Sequence, residues 1–142
     1  MTPSTASTTA TAIALVGMAC RYPDANSPGE FWENILAQRR AFRRMPDERL
    51  RLADYYSADR TDVDRIYTTQ AAVLKDYAFD RMKFRVSGDT YRQSDLTHWL
   101  ALDVASAALH DAGFPEGAGL DRTTTGVLLG NTLTCLLYTS PS

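Results

Sequence analysis

The sequence predicts an α/β fold, and three observations carry the prediction. Two short apolar runs with β-branched members, Ile13–Ala19 (IALVGMA) and Thr125–Gly130 (TGVLLG), lie near the two ends. A capped helix follows the first run, and a longer helix, Ser94–Asp111, precedes the second. Short apolar runs bounded by polar chain read as strands buried on both faces. Their alternation with helices belongs to α/β architecture.

Composition agrees with this class. A chain of 142 residues, 44% hydrophobic and 23% charged, has the make-up of one soluble globular domain. Collagen, wholesale disorder and a coiled coil are excluded on the same ground. A net charge of −2 argues against a general nucleic-acid binder. Two cysteines are too few for a disulfide scaffold. No segment approaches the roughly 18 consecutive apolar residues of a membrane span. The start lacks the positive charge and apolar run of a secretory signal. The expectation is a cytoplasmic protein with reduced thiols and no nucleic-acid or membrane partner.

Residues 1–12, MTPSTASTTATA, carry no charged side chain and almost nothing large and apolar, so a disordered leader is expected. The strand Ile13–Ala19 comes next. Gly17 in its middle points to close approach of another backbone. Helix one runs from Ser27 to about Gln38. Ser27 is the N-cap, Pro28 fits the first turn and Glu30 completes a capping box. Phe31, Trp32, Ile35 and Leu36 share a face expected to pack on a sheet.

Arg39–Asp64 is polar and irregular, with one helical turn expected from Pro46 through Leu50. Ile66–Leu74 can extend, with Ile66, Tyr67, Val73 and Leu74 as packing residues. Phe79, Met82 and Phe84 read as a short packed segment. Ser94–Asp111 is the strongest helix, with Ser94 as its cap and Asp95 at the positive end of the dipole. Leu96, Trp99, Leu100, Val104 and Ala107 form its apolar stripe. Ala101, Ala105 and Ala108 form a small-residue flank that permits close packing. Gly113 takes the C′ position and Pro115 follows.

The last eight residues, Cys135–Ser142, read CLLYTSPS. That string matches one reading frame of a transposon adapter used in sequencing libraries, TGT CTC TTA TAC ACA TCT CCG AGC. The expectation is read-through, with the natural sequence stopping near Thr134. The alternative is an ordinary strand, CLLYT, ending in a Ser-Pro turn.

Candidate chemistry is sparse. Cys20 lies at the end of a strand beside Arg21, whose charge favours a thiolate. Neither histidine is near it in sequence, and a structural cysteine is the commoner case. His98 and His110 are twelve residues apart on one helix, about 120° around its axis and about 18 Å along it, so they cannot share a metal ion. Asp54, Asp59, Asp62 and Asp64 lack the spacing and the glycine of a calcium loop and read as solvated. Arg39, Arg40, Arg43 and Arg44 (in RRAFRR) read as a surface with local ion pairs, or as a dock for an acidic partner. Asp47 and Glu48 beside them weaken a nucleic-acid reading. Gly117 and Gly119 follow a helix, the wrong context for a dinucleotide fingerprint. By residue chemistry alone, no active site is assembled.

The run IALVGMACRYPDANSPGEFWENILAQRRAFRRMP closely resembles the opening of the β-ketoacyl synthase domain of type I polyketide synthases. Ile13–Pro23 matches its I-A-(I/V)-(V/I)-G-M-A-C-R-(F/Y)-P strand. Ser27–Leu36 matches its S-P-x-E-F-W-x-x-(I/L)-L helix. Phe79-Asp80, the helix around Leu100–Gly113 and the strand Thr125–Gly130 continue the resemblance to Thr134. One departure stands out. Most such synthases carry M-D-P-Q-x-R before the long helix, where this chain has GDTYRQSDLTHW, Gly88–Trp99. With PDERLRLADYYSADRT and GNTLT, that stretch looks more like the iterative, enediyne-type synthases.

The resemblance implies a thiolase-like (ketosynthase) fold, with only the first portion of its N-terminal half present. It implies decarboxylative Claisen condensation of acyl and malonyl thioesters, presented on the phosphopantetheine of an acyl carrier protein, by a homodimeric enzyme. No directly bound cofactor or metal is implied. The family's nucleophile sits in a D-T-A-C-S-S motif and two histidines come later. None has a counterpart here, so the carried-over list of catalytic residues is empty. Cys20 matches a structural position, and Cys135 matches nothing. The chain itself is therefore expected to be inactive. Two other readings stay open: a non-catalytic partner of the chain-length-factor sort, and a free-standing binding module.

Overall fold

Residues 12–131 are described by the structure, a computed structural model. In chain order the elements are α1 (Pro28–Leu36), β1 (Arg43–Arg44), α2 (Leu52–Tyr55), β2 (Gln70–Ala71), α3 (Gly88–Gln93) and α4 (Leu96–Asp111). A 3₁₀ turn, Pro115–Gly117, follows. All but Ala12 of the leader expected over 1–12, and the whole of the tail expected over 135–142, lie outside the described residues.

Helix α4 is the longest element among the described residues. It has 16 residues and is about 24 Å long. Its start is one residue later than the sequence predicts. Asp95, not Ser94, is the N-cap, accepting the Thr97 N–H at 2.7 Å. Ser94 closes α3, a short helix that the sequence does not predict and whose own cap is Ser87. The end is as expected. Gly113 has φ +85°, the Gly113 N–H donates to the His110 carbonyl at 3.1 Å, and the Phe114 N–H donates to the Leu109 carbonyl at 2.8 Å. These two bonds are a Schellman motif, which needs the left-handed residue glycine supplies.

Residues 13–19 lie on the C-terminal end of α4. A Cβ at Gly17 would stand 2.6 Å from both the Ala108 carbonyl oxygen and the Ala112 nitrogen. The Met18 N–H donates to Asp111 Oδ2 at 2.9 Å. The close backbone approach predicted at Gly17 is present, and its partner is the small-residue flank of α4. Neither 13–19 nor 125–130 is a strand, however. A strand exists through ladder hydrogen bonds to a neighbour, and among the described residues neither run has one. Leu15, Val127 and Leu128 are accordingly exposed.

Where strands do pair, the sequence reading had irregular chain or a longer extension. β1 and β2 form a two-residue antiparallel ladder, Arg43 opposite Ala71 and Arg44 opposite Gln70. Tyr56 bridges to Ile66 in parallel. Pro46 opens a turn as expected, its carbonyl accepting the Arg49 and Leu50 N–H groups. The helical segment of this region is α2, with Leu52 buried.

Helix α1 has the predicted caps with one difference. The Ser27 hydroxyl accepts the Glu30 N–H at 3.2 Å, but Glu30 reaches back to the Asn26 N–H (2.6 Å) rather than to Ser27 itself. Among the described residues its aromatic face meets no sheet. Phe31 stacks on Tyr22 with centroids 4.6 Å apart, while Trp32, Ile35 and Leu36 stay exposed. The densest packing lies at the N-terminal end of α4. There Phe79 contacts Phe84, Tyr91 and Trp99 at centroid separations of 5.0, 6.1 and 5.1 Å. Phe79 and Trp99 are buried, but Met82 and Tyr67, expected to pack, are exposed.

Candidate functional site

Among the described residues, the ion pair that joins the most distant segments is centred on Arg21. The end of the 13–20 segment places its guanidinium beside α4 and the 77–79 segment. Arg21 Nη1 donates to Asn26 Oδ1 at 2.9 Å, and Nη2 meets Asp103 Oδ2 at 3.4 Å. The same guanidinium lies 5.1 Å from the centre of the Tyr77 ring. Burial pushes the Tyr77 phenol up, and the Asp103 carboxylate adds to that push against the opposing charge of Arg21. A permanently charged guanidinium held by an amide oxygen, a carboxylate and an aromatic face clamps three remote segments together. Sequence reasoning missed Asp103, Asn26 and Tyr77. The available signal was Asp103, a carboxylate within the apolar body of α4, because half-buried charges are seldom unpaired.

The residues singled out from sequence are not brought together. Cys20 is a free, half-buried thiol, and no hydrogen bond joins it to a described histidine. His98 and His110 both sit on α4, at the separation that forbids a shared metal. Among the described residues, no group of three His, Cys, Asp or Glu side chains converges on a point where a metal ion would sit.

The aspartates of the 54–64 loop serve local structure. Asp59 accepts the Thr61 N–H at 2.9 Å and its hydroxyl at 2.7 Å, and these bonds hold its carboxyl below the usual carboxylate range. Asp54 pairs with Arg51, and Asp62 accepts the Ser57 hydroxyl. Among the described residues the arginine run has one ion pair, Arg43 to Asp24 at 2.8 Å. It borders a cleft of about 480 Å³ against α1. A larger and more apolar groove, about 810 Å³, runs along α4 past His98, Leu102 and Leu109 towards Val127 and Leu129. Among the described residues no helix is long and apolar enough to cross a membrane.

The placement of the sequence blocks can be set beside known proteins. The family model described as the N-terminal domain of β-ketoacyl synthase matches residues 10–140. The chain is 34% identical over 124 residues to a phenolphthiocerol/phthiocerol polyketide synthase of Mycobacterium tuberculosis, covering 84% of this chain and 6% of that protein. It is 38% identical over 101 residues to a hybrid PKS-NRPS synthetase, pynA, of Aspergillus niger, covering 70% of this chain and 3% of the relative. A solved ketosynthase domain of Streptomyces albus, OzmH KS7 for oxazolomycin, superposes with a TM-score of 0.63 at 30% identity. That superposition covers 68% of this chain and 17% of the ketosynthase. The chain thus spans a small part of each relative's length, and its fold is the corresponding portion of the thiolase-like ketosynthase fold. The motif blocks, the packing of the 13–19 segment on α4 and these similarities lead to one assignment: the chain belongs to the β-ketoacyl synthase family, as part of the N-terminal domain of a polyketide-synthase ketosynthase.

Proposed function

We propose that this chain is a portion of a ketosynthase performing decarboxylative Claisen condensation. Acyl and malonyl groups are its substrates, carried as thioesters on the phosphopantetheine of an acyl carrier protein. The full enzyme is a cytoplasmic homodimer that needs no directly bound cofactor. The single observation that carries this reading is the family match over residues 10–140. The chain itself holds no catalytic residue. Cys20 stands in the structural G-M-A-C-R position, and no described histidine is hydrogen-bonded to it as a base. The Gly88–Trp99 stretch supports an iterative, enediyne-type parent.

Mass spectrometry after incubation with an acyl thioester tests the first part: this chain is expected to gain no acyl group. In the intact synthase, Cys20→Ala is expected to keep acyl loading, while replacing the cysteine of its D-T-A-C-S-S motif abolishes it. Acyl transfer to Cys20 would overturn the reading. Another residue in place of that motif cysteine would instead identify a chain-length-factor partner.

A further inference from the structure

The arginine-rich turn after α1 has no part in the condensing chemistry, and its charge is unlike that of the chain as a whole. Between residues 39 and 51 there are six arginines and two carboxylates, in a chain of net charge −2. Arg39, Arg40, Arg43 and Arg44 are all exposed. Arg43 is committed locally, pairing with Asp24 and donating to the Arg40 carbonyl at 3.0 Å. Arg39 donates to the neutral side-chain oxygen of Asn34 at 3.2 Å. Among the described residues, Arg39, Arg40 and Arg44 form no ion pair.

Arg39 and Arg40 border the cleft of about 480 Å³, where Phe31, Ile35 and Ala41 supply apolar surface. Guanidinium groups pair with carboxylates in a bidentate fork. Cationic groups around an apolar recess match a segment that alternates carboxylates with a large apolar side chain. A polyphosphate backbone fits less well, because Asp24 lies in the cleft and Asp47 and Glu48 follow the run directly. We propose that this cleft docks an acidic protein segment: an apolar side chain seats against Phe31 and Ile35, and flanking carboxylates pair with Arg39 and Arg40. The proposal is independent of the condensation reading.

The test uses the intact synthase that carries this segment and a fluorescent peptide, Glu-Glu-Leu-Phe-Glu-Glu, read by anisotropy. Binding is expected, weakening as salt rises. The double variant R39E/R40E is expected to bind about tenfold more weakly or worse. A charge-matched variant elsewhere, R60E/R81E, is expected to bind as the unmodified protein does. Hydrogen–deuterium exchange of the unmodified protein gives a second readout that needs no variant, with peptide-induced protection expected around residues 31–44. Absent binding, equal loss in both variants, or protection centred elsewhere overturns the proposal. So does tighter binding of a duplex DNA oligonucleotide or of phosphatidylserine vesicles than of the peptide.

Discussion

At Gly17 the lack of a side chain lets one segment of backbone lie directly on another. The nearest atoms a Cβ would meet include the carbonyl of Ala108 and the nitrogen of Ala112, and helix backbone cannot move aside as a flexible side chain would. Gly17→Ala is therefore expected to cost about 1–3 kcal/mol of local stability. The readout is faster hydrogen exchange at the Met18 amide, whose partner is Asp111; unchanged protection would count against the contact. This contact was legible in the sequence because a glycine weakens an apolar run unless another backbone must come close there. Arg21 was half legible. Its place after the strand-like run suggested a role beside Cys20, but its partners come from positions 26, 77 and 103. No local pattern links those positions.

At the scale of elements, helix ends were read better than strand pairing. A cap depends on residues a few positions apart, so Ser27, Gly113 and the region of Asp95 were all legible. The one-residue slip at α4 arose because Ser94 and Asp95 are both good caps, and the presence of α3 assigned Ser94 to the preceding helix. Asp95→Ala is expected to destabilise the start of α4 by about 1 kcal/mol, and Asp95→Asn to leave it nearly intact. The hydrogen bonds from the Thr97 backbone N–H and then its hydroxyl hold the Asp95 carboxyl below the ordinary carboxylate range. Folding therefore depresses this pKa. Its stabilising contribution is fully present above the unfolded value of about 3.9 and is lost as pH falls through the lower folded value. Far-UV circular dichroism between pH 5 and 2 should show Asp95→Asn losing less α4 helicity than the parent chain. Equal losses would show that Asp95 does not carry the effect.

For the whole molecule, the decisive feature is how little apolar surface is covered. Among the described residues the buried hydrophobic side chains are Ala25, Leu52, Phe79 and Trp99. Ile13, Val127 and Leu128 are 94%, 79% and 100% exposed. Exposed apolar surface of this kind marks an interaction face or an aggregation hazard. The 142-residue chain is expected to bind a hydrophobic dye such as anilinonaphthalene sulfonate and to melt over a broad range. A sharp, cooperative melt without dye binding would contradict this. The aromatic cluster at α4 should be its most persistent part, because its packing depends on contacts within residues 79–99.

The sequence by itself determined the family, helices α1 and α4 to within a residue or two at their ends, and the close approach at Gly17. Each is written in short motifs or in local steric rules, and such information does not depend on the rest of the chain. Only the tertiary structure decided that Arg21 clamps Asn26 and Asp103 beside Tyr77, that Gly17 rests on Ala108 and Ala112, and that the two apolar runs are not strands among the described residues. The physical reason is the same in each case. A helix satisfies its backbone from residues four positions away, whereas a strand, a clamp or a docked segment takes its partners from remote chain, and local sequence carries no record of which partner is in reach.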